Sequence, residues 1–238
     1  MEKFYRSWIN APGFYRYEIR YKESDLFIQS NKDLRKKALN ALKKYRQKIE
    51  NYIEENPLFK KALIPVPVPD SAPDIIKKMA QAGEIANVGP MAAVAGAIAE
   101  FVGRELEKFS REVIVENGGD IYMKVIEDKK VAIYAGDSPF SGRIGIKIDK
   151  KMSPCGVCTS SGRVGHSLSF GLADAVTVIT ASAALSDALA TSLANMVRSD
   201  EDVNKVIKMV EEREEIKGVV VIFRDKLAVS GNVELVEV

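Results

Sequence analysis

The chain has 238 residues, of which 46% are hydrophobic and 29% are charged, and its formal net charge is +2. This composition is typical of a folded protein with a sizeable core and excludes a disordered chain, and the near-neutral charge gives no reason to expect a nucleic-acid partner. No apolar run reaches the roughly 20 residues that cross a bilayer, no signal peptide is recognisable, and two cysteines make no disulfide framework, so we expect a cytoplasmic protein without a membrane partner.

The first predicted elements are a hairpin and a long basic helix. Residues 14–29 alternate in a strand-like pattern around a turn at Lys22–Asp25. Asn31 is the predicted N-cap of a helix that Pro57 ends. One face of this helix carries apolar residues spaced by three or four, namely Leu34, Ala38, Leu42, Tyr45, Ile49 and Tyr52. Residues 1–62 contain 15 Lys/Arg against 8 Asp/Glu. Because the aromatic residues fall on the apolar stripe, we interpret the basic face as solvated and not as a nucleic-acid surface.

A proline-rich connector and two helices follow. Four prolines within residues 64–74 predict an extended connector or lid. Helices are predicted at 73–86 and 90–109, and the second is apolar from Met91 to Val102, which indicates a buried helix. This helix and the connector would also suit a homodimer interface. The first 63 residues bury too little surface to fold alone. We therefore interpret residues 1–238 as a single domain with three parts: hairpin and basic helix at 1–63, connector at 64–74, core at 75–238.

The hydrophobic period then changes from that of helices to that of strands. Short antiparallel strands are predicted first, then one more strand, two helices and two closing strands. Their ranges are 113–115, 121–126, 131–134 and 144–148 for the first strands, 176–180 for the next, 181–197 and 201–214 for the helices, and 219–224 and 227–229 for the last strands. This order predicts an α+β fold in which helices are layered on a largely antiparallel sheet.

Three motifs rich in small residues interrupt this pattern, at Val88–Ala99, Glu116–Asp120 and Ser186–Thr191. Small residues allow a backbone or a ligand to approach closely. Asp187 and Thr191 lie four apart on a predicted helix and project two oxygens from one face, which suits a hard cation beside a phosphate-bearing ligand. The alternative is that Asp187 caps or solvates a helix start while Thr191 packs in an Ala-rich seam.

The pair Gly118-Gly119 also has two interpretations. Asn-Gly followed by Gly-Asp between strands is a strong signal for a tight hairpin turn. Two glycines can in addition expose backbone N–H groups to an anion, or leave room for a flat ring. The turn and the ligand contact are compatible with each other.

Together with a Thr-Ser-Ser-Gly turn at Thr159–Gly162, these motifs resemble the ApbE family, the FAD:protein FMN transferases. Met91–Gly96 stands for that family's Gly-Ala-Ile-Ala-Lys-Gly segment, and Gly118–Asp120 stands for its Gly-Gly-Asp turn. Thr159–Gly162 stands for its Thr-Ser-Gly turn, and Ser186–Thr191 for its Ala-Asp-Ala-Leu-Ala-Thr helix. Over nearly its full length, the chain is similar to a shorter, uncharacterised branch of ApbE-like proteins.

The resemblance implies a magnesium ion and a bound FAD or related nucleotide. The implied metal ligands are the side chains of Asp187 and Thr191 and the carbonyl of Ala92. The residues implied to contact the nucleotide come from the two turns and are Gly118, Gly119, Asp120, Thr159, Ser160, Ser161 and Gly162. The partner expected on this basis is a small-molecule nucleotide or flavin.

The chain departs from the transferases at two positions that concern catalysis. His166 is the single histidine, and it lies where the family has a His, but the Asp-Pro-Arg-Thr-Gly continuation is absent. The lysine of the first motif is Ala95 here. We therefore hold two hypotheses: a Mg²⁺-dependent enzyme that hydrolyses or transfers a flavin or other nucleotide phosphate, with His166 as the catalytic candidate, and a non-catalytic nucleotide-binding or small-molecule-binding protein.

Cys155 and Cys158 form a Cys-x-x-Cys motif, which elsewhere makes a redox disulfide or half of a tetrahedral metal site. The chain has no second pair, and the motif leads into a turn. We therefore expect two reduced thiols, without zinc, on a loop near the mouth of the pocket.

Overall fold

The computed structural model describes residues 13–162 and 171–238. The helices it contains are α1 (Arg35–Glu55), α2 (Pro57–Lys61), α3 (Asp74–Ala86), α4 (Val94–Leu106), α5 (Ala183–Met196) and α6 (Asp200–Glu211). The strands are β1 (Tyr15–Tyr21), β2 (Ser24–Ser30), β3 (Val113–Asn117), β4 (Asp120–Lys124), β5 (Lys129–Ala132), β6 (Ile144–Ile148), β7 (Cys155–Ser160), β8 (Ala175–Thr180), β9 (Gly218–Phe223), β10 (Lys226–Gly231) and β11 (Glu234–Glu237).

The strands form two antiparallel sheets, which confirms the predicted α+β class. The large sheet has the order β1-β2-β3-β4-β7-β8-β9-β10, and the small sheet has the order β11-β6-β5. The excursion of the chain through β5 and β6 separates β4 from β7, which pair with each other. The N-terminal hairpin belongs to the large sheet because β2 pairs with β3.

The central strands of the large sheet are buried on both faces. On one face the sheet packs against the helices, and the core there includes Leu42, Ile75, Val102 and Leu189. On the other face it packs against residues of the small sheet, in a second core that includes Ile146. Because both faces are covered, central strands such as β8 and β9 are buried at every position.

Helix α1 has the predicted apolar stripe but a later start. Ala38, Leu42, Tyr45 and Ile49 are buried, as their spacing predicts. The prediction that Asn31 caps the helix was wrong, since the N-cap is Leu34. The Asn31 side chain instead accepts a hydrogen bond from the backbone N–H of Glu112 at 2.8 Å, next to β3.

The predicted helix 90–109 is two pieces. Pro90–Ala93 form a 3₁₀ turn, and α4 begins at Val94 and ends at Leu106. Just before this turn, a Cβ on Gly89 would lie 1.8 Å from the Ala62 carbonyl oxygen, so the chain passes close to the end of α2 there. The apolar surface of α4 packs inside the chain against α1, α5 and the sheet. Within the connector, Ile64 is 71% exposed.

The described residues contain no single helix that is long and apolar enough to cross a membrane. Residues Asp74–Ala86 and Pro90–Leu106 meet the length and composition requirement together, as a pair bent by 108°.

Candidate functional site

The Gly118-Gly119 pair joins β3 to β4 in a two-residue turn, as predicted. Asn117 pairs with Asp120 across the hairpin, and the φ angles of the two glycines are +71° and +108°. Positive φ at both central positions is the requirement of a type I′ turn, which explains the need for glycine. The backbone N–H of Gly119 donates to Glu116 Oε1 at 2.9 Å.

Asp187 lies on α5 and caps the beginning of α4. Its Oδ2 accepts a hydrogen bond from the backbone N–H of Gly96 at 2.8 Å, and the backbone of Ala95 also bonds to its carboxylate. Ala93, the N-cap residue of α4, contributes no side-chain bond of its own. A carboxylate at this position satisfies N–H groups that the helix leaves free, and its charge is favourable there.

Gly96 allows this contact because the two helices touch there through their backbones. A Cβ on Gly96 would lie 2.2 Å from the carbonyl oxygen of Ala183 and 2.8 Å from Cβ of Asp187. Any other residue would push α5 away from α4. The small residues at this place are therefore explained by helix packing.

Asp120 brings a second carboxylate to the same place. It pairs with Cys158 on β7, and the Cys158 thiol donates to the Ala183 carbonyl at 3.3 Å. Asp120 is 8% exposed and Asp187 is 9% exposed. Burial raises the pKa of Asp187 to about 7. Burial, and next the charge of Asp187, raise the pKa of Asp120 well above its usual value.

Thr191 and Ala92 lie close by on neighbouring elements. Thr191 is one turn after Asp187 on α5 and is 9% exposed. Ala92 belongs to the 3₁₀ turn, against which α5 packs. The Asn117 side chain donates to the Ala95 carbonyl at 3.1 Å and ties the glycine turn to the start of α4. The structure thus gathers Asp187, Asp120 and the glycine turn around the first turn of α4.

The Thr159–Gly162 segment begins as strand and not as a turn. Thr159 and Ser160 are the last residues of β7, and the hydroxyls of Thr159 and Thr177 are hydrogen-bonded at 2.8 Å. A Cβ on Gly119 would have the Thr159 carbonyl oxygen at 3.9 Å, so this strand end lies beside the glycine turn. Gly162 follows, its N–H donating to the Ala173 carbonyl at 2.9 Å, while the Ser161 hydroxyl donates to the same carbonyl at 3.4 Å.

His166 lies outside the described residues. Its predicted catalytic role stays a prediction.

The oxygen donors at this place fit a magnesium ion. Burial raises the pKa of both carboxyl groups, and the charge of Asp187 raises that of Asp120 further. Such a pair forms a site where a cation is electrostatically favoured. Oδ2 of Asp187 is engaged by Gly96, and a carboxylate retains further lone pairs for a ligand. Within residues 13–162 and 171–238, no three His, Cys, Asp or Glu side chains form a metal-holding cluster. An ion here would therefore depend on Thr191, a backbone carbonyl, water and phosphate, as Mg²⁺ commonly does.

The expected loop position of the two cysteines was wrong. Both lie on β7, are fully buried and have free thiols. Cys155 faces the core between the sheets, whereas Cys158 faces the helices. Three residues of strand span about 10 Å, which exceeds the roughly 7 Å limit for a disulfide between Cα atoms. Burial raises the pKa of Cys155 to about 11, and burial with the charges of Asp120 and Asp187 raises that of Cys158.

Glu100 is a buried charge near this site that sequence reasoning did not single out. It is 1% exposed and lies on α4, one turn after Gly96. Its Oε2 accepts a hydrogen bond from the Ser182 hydroxyl at 2.7 Å, just before α5. The available signal was a lone acidic residue within the apolar run from Met91 to Val102.

This arrangement is an ApbE-type fold. The apo crystal structure of the flavinyl transferase ApbE from Pseudomonas stutzeri matches with a TM-score of 0.60 and 12% identity, over 91% of this chain and 93% of that chain. The ApbE protein from Thermotoga maritima matches with a TM-score of 0.59 and 13% identity, over 91% and 97%. At these identities the similarity shows the fold.

The chain belongs to the family described as AbpE bacteria, whose model matches residues 6–227. It is similar to a UPF0280 protein of Methanococcus maripaludis strain C5, with 46% identity over 174 residues, which are 71% of this chain and 70% of that protein. It is also 45% identical to a UPF0280 protein of Methanocaldococcus jannaschii, over 72% of this chain and 70% of that protein. The predicted resemblance to ApbE-like proteins is confirmed.

Proposed function

We propose that the protein binds FAD or a related nucleotide through a Mg²⁺ ion held by the side chains of Asp187 and Thr191 and the carbonyl of Ala92. The observation that carries this proposal is the buried pair of carboxylates, Asp120 and Asp187, beside the glycine turn. Among the described side chains that shift the pKa values of these two residues, none is a Lys or an Arg. Two buried carboxylates are costly without a positive charge, and a divalent cation supplies one.

Bound there, Mg²⁺ would neutralise phosphate charge and polarise a phosphoryl oxygen. The chain's own residues would do the rest. Asp187 keeps one oxygen on the amide of Gly96, which fixes the orientation of its carboxylate. The turn at Gly118 and Gly119 carries no side chain that would block a flat ring or a phosphate. A Cβ on Gly118 would meet nothing within 4 Å.

The proton on Asp187 links ion binding to pH. A carboxyl group whose pKa is about 7 is partly protonated in neutral solution. It must release that proton to bind a cation, so affinity for Mg²⁺ should rise as the pH increases through 7.

The site could either turn over the bound nucleotide or bind it without reaction. Names of proteins with the same fold, such as the flavinyl transferase of Pseudomonas stutzeri, support hydrolysis or transfer of a flavin nucleotide. The lack of a described cation beside the carboxylates, with Ala95 where the transferases have lysine, supports a protein that binds the nucleotide without turnover. The same pocket serves both candidates.

The test measures binding and turnover separately. Purified protein is melted with FAD, with Mg²⁺ and with both, and release of AMP and FMN is followed in parallel. We expect FAD and Mg²⁺ together to raise the melting temperature, and Asp187→Asn to abolish that rise. Asp202→Asn, which removes a carboxylate from the first turn of α6, is the matched control and should keep it. AMP release lost in Asp187→Asn supports the enzyme, binding without AMP supports the second candidate, and no shift with any nucleotide contradicts both.

A further inference from the structure

Glu100 contacts the beginning of α5, the helix that carries Asp187 and Thr191. Its Oε2 accepts hydrogen bonds from the Ser182 hydroxyl at 2.7 Å and from the backbone N–H of Ala184 at 3.3 Å. Ser182 is the N-cap of α5. The carboxylate of Glu100 therefore lies at the N-terminus of α5, where its charge is favourable and where N–H groups lack partners within the helix.

The other oxygen of Glu100 is also engaged. Oε1 accepts from Nε of Arg104 at 3.0 Å and from Nη2 at 2.8 Å. Arg104 lies one turn later on α4, and its side chain is 55% exposed. Glu100 thus has its charge compensated by Arg104 from its own helix, while its second oxygen is committed to α5.

The contact of Glu100 with α5 is reciprocal to the contact that Asp187 makes with α4. Asp187 on α5 caps the first turn of α4 through Gly96, and Glu100 on α4 caps the first turn of α5. Between the two contacts, Gly96 and the Ala183 carbonyl meet backbone to backbone. Close approach alone leaves a helix free to slide or to turn about its axis. Two hydrogen-bonded contacts on either side of the crossing remove that freedom.

We propose that Glu100 is a positioning residue for the site. By holding the first turn of α5, it sets the axial position of that helix and keeps Asp187 and Thr191 directed at the start of α4 and at Ala92. A slip of one residue along α5 would move these side chains by about 1.5 Å and turn them by about 100°. The proposal rests on the proposed function for its metal, but the position of Asp187 can be measured without metal.

The experiment compares Glu100→Gln with Glu105→Gln. Both changes remove one negative charge from α4 without changing side-chain size. Glu105 bonds to Lys44 and Tyr45 of α1 and to Lys108, so it serves as the matched control. Calorimetric titration with Mg²⁺, well below the melting temperature, gives the affinity of the folded protein. Hydrogen exchange at the Gly96 amide reports the Asp187 contact without any metal.

We expect Glu100→Gln to weaken Mg²⁺ binding about tenfold or more, as loss of a residue that orients a ligand commonly does. Exchange at Gly96 should become faster, while Glu105→Gln should leave both measurements unchanged. Unchanged Mg²⁺ affinity and unchanged exchange at Gly96 in Glu100→Gln would overturn the proposal even if the melting temperature fell, because a merely structural role predicts that fall alone.

A result for the unaltered protein separates this proposal from the proposed function. If the unaltered protein binds no Mg²⁺, the proposed function fails, and the exchange at Gly96 in Glu100→Gln alone decides whether Glu100 positions Asp187. If Glu100→Gln does not fold, Glu100→Asp replaces it, since that change keeps the charge and shortens the side chain that reaches Ser182. The same two measurements then apply, with the same outcomes for and against.

Discussion

The two faces of the large sheet are built from different chemistry. The face toward the small sheet is filled by residues such as Ile114, Met123 and Cys155. The face toward the helices is also apolar over most of its area, but Asp120, Asp187 and Glu100 are buried there. The strand β7 contributes a cysteine to each side. Apolar contacts tolerate small shifts of one layer over another, whereas buried carboxylates require defined partners. On the helical face, the hydrogen bonds of Asp187 and Glu100 therefore specify how α5 lies against α4.

The largest expected effect comes from adding one methyl group on the helical face. Gly96→Ala would place a Cβ 2.2 Å from the backbone oxygen of Ala183, which cannot move without α5. We expect a loss of about 3 kcal/mol in the free energy of unfolding, even though Ala favours a helix by about 1 kcal/mol. Chemical denaturation measures it.

The control for this change lies on the other face. Gly218→Ala would place a Cβ 2.5 Å from a side-chain methyl of Val233, with other atoms no closer than 3.4 Å. A side chain can rotate away, so we expect a loss of about 1 kcal/mol. Equal losses at the two glycines would show that the two faces tolerate an added methyl group equally well.

The next expected effect is a dependence of the free energy of unfolding on pH, which arises from Asp187 on the helical face. In the folded protein the pKa of Asp187 is about 7, above the value of about 4 in an unfolded chain. The folded state holds a proton that the unfolded state releases. In protein without divalent cations, this contribution to stability is therefore full below about pH 4, is lost as the pH rises from 4 to 7, and levels off above that.

Urea denaturation between pH 4 and 8 in the presence of a chelator measures this dependence. Asp187→Asn should reduce it to the part that Asp120 contributes, since burial also raises the pKa of Asp120. Asp202→Asn is the control, because hydrogen bonds with Lys205, Ser199 and Arg198 lower the pKa of Asp202 to about 2, outside this window. A profile of the unaltered protein that stays flat between pH 4 and 7 would mean that Asp187 is charged throughout.

The smallest expected effect is the difference in stability loss between serine substitutions of the two cysteines of β7. Cys155→Ser would bury a hydroxyl in the core between the sheets, and we expect a loss of about 1.5 kcal/mol for that group. Cys158→Ser would keep a donor near the Ala183 carbonyl, to which the thiol now donates. Its loss should stay under about 1 kcal/mol. Thermal unfolding of both variants ranks them, and the reverse order would contradict the contrast between the faces.

Local features of the fold could be predicted from the sequence, and features that depend on distant partners could not. The glycine turn, the stripe of α1 and the helix around Asp187 follow from patterns of a few residues. Strand β7 has no alternation, because it is buried on both sides and consists largely of small residues, so its sequence predicts a loop. The small sheet depends on β11 meeting β6, and no short pattern encodes that pairing.

The same distinction applies to the site. The shared face of Asp187 and Thr191 follows from a spacing of four on a helix. The neighbourhood of Asp187 and Asp120 follows from the family resemblance and from the small residues of the Asp187 helix, which allow that helix to lie flat against the sheet. The role of Glu100 at the start of α5 could not be predicted, since its donors lie 82 and 84 positions away along the chain and an acidic residue on a helix is normally solvated.

The strand order of the large sheet also has a consequence for how the chain folds. Four of its seven pairings join strands that lie near each other along the chain, with at most 15 positions from the end of one strand to the start of the next: β1–β2, β3–β4, β7–β8 and β9–β10. The remaining three close long loops, and the longest brings Ser30 to Val113 across α1 to α4. Loop closure is the slow, entropically opposed part of forming a sheet. We therefore expect the hairpins to form early, and the pairing of β2 with β3 to limit the rate at which the sheet is completed.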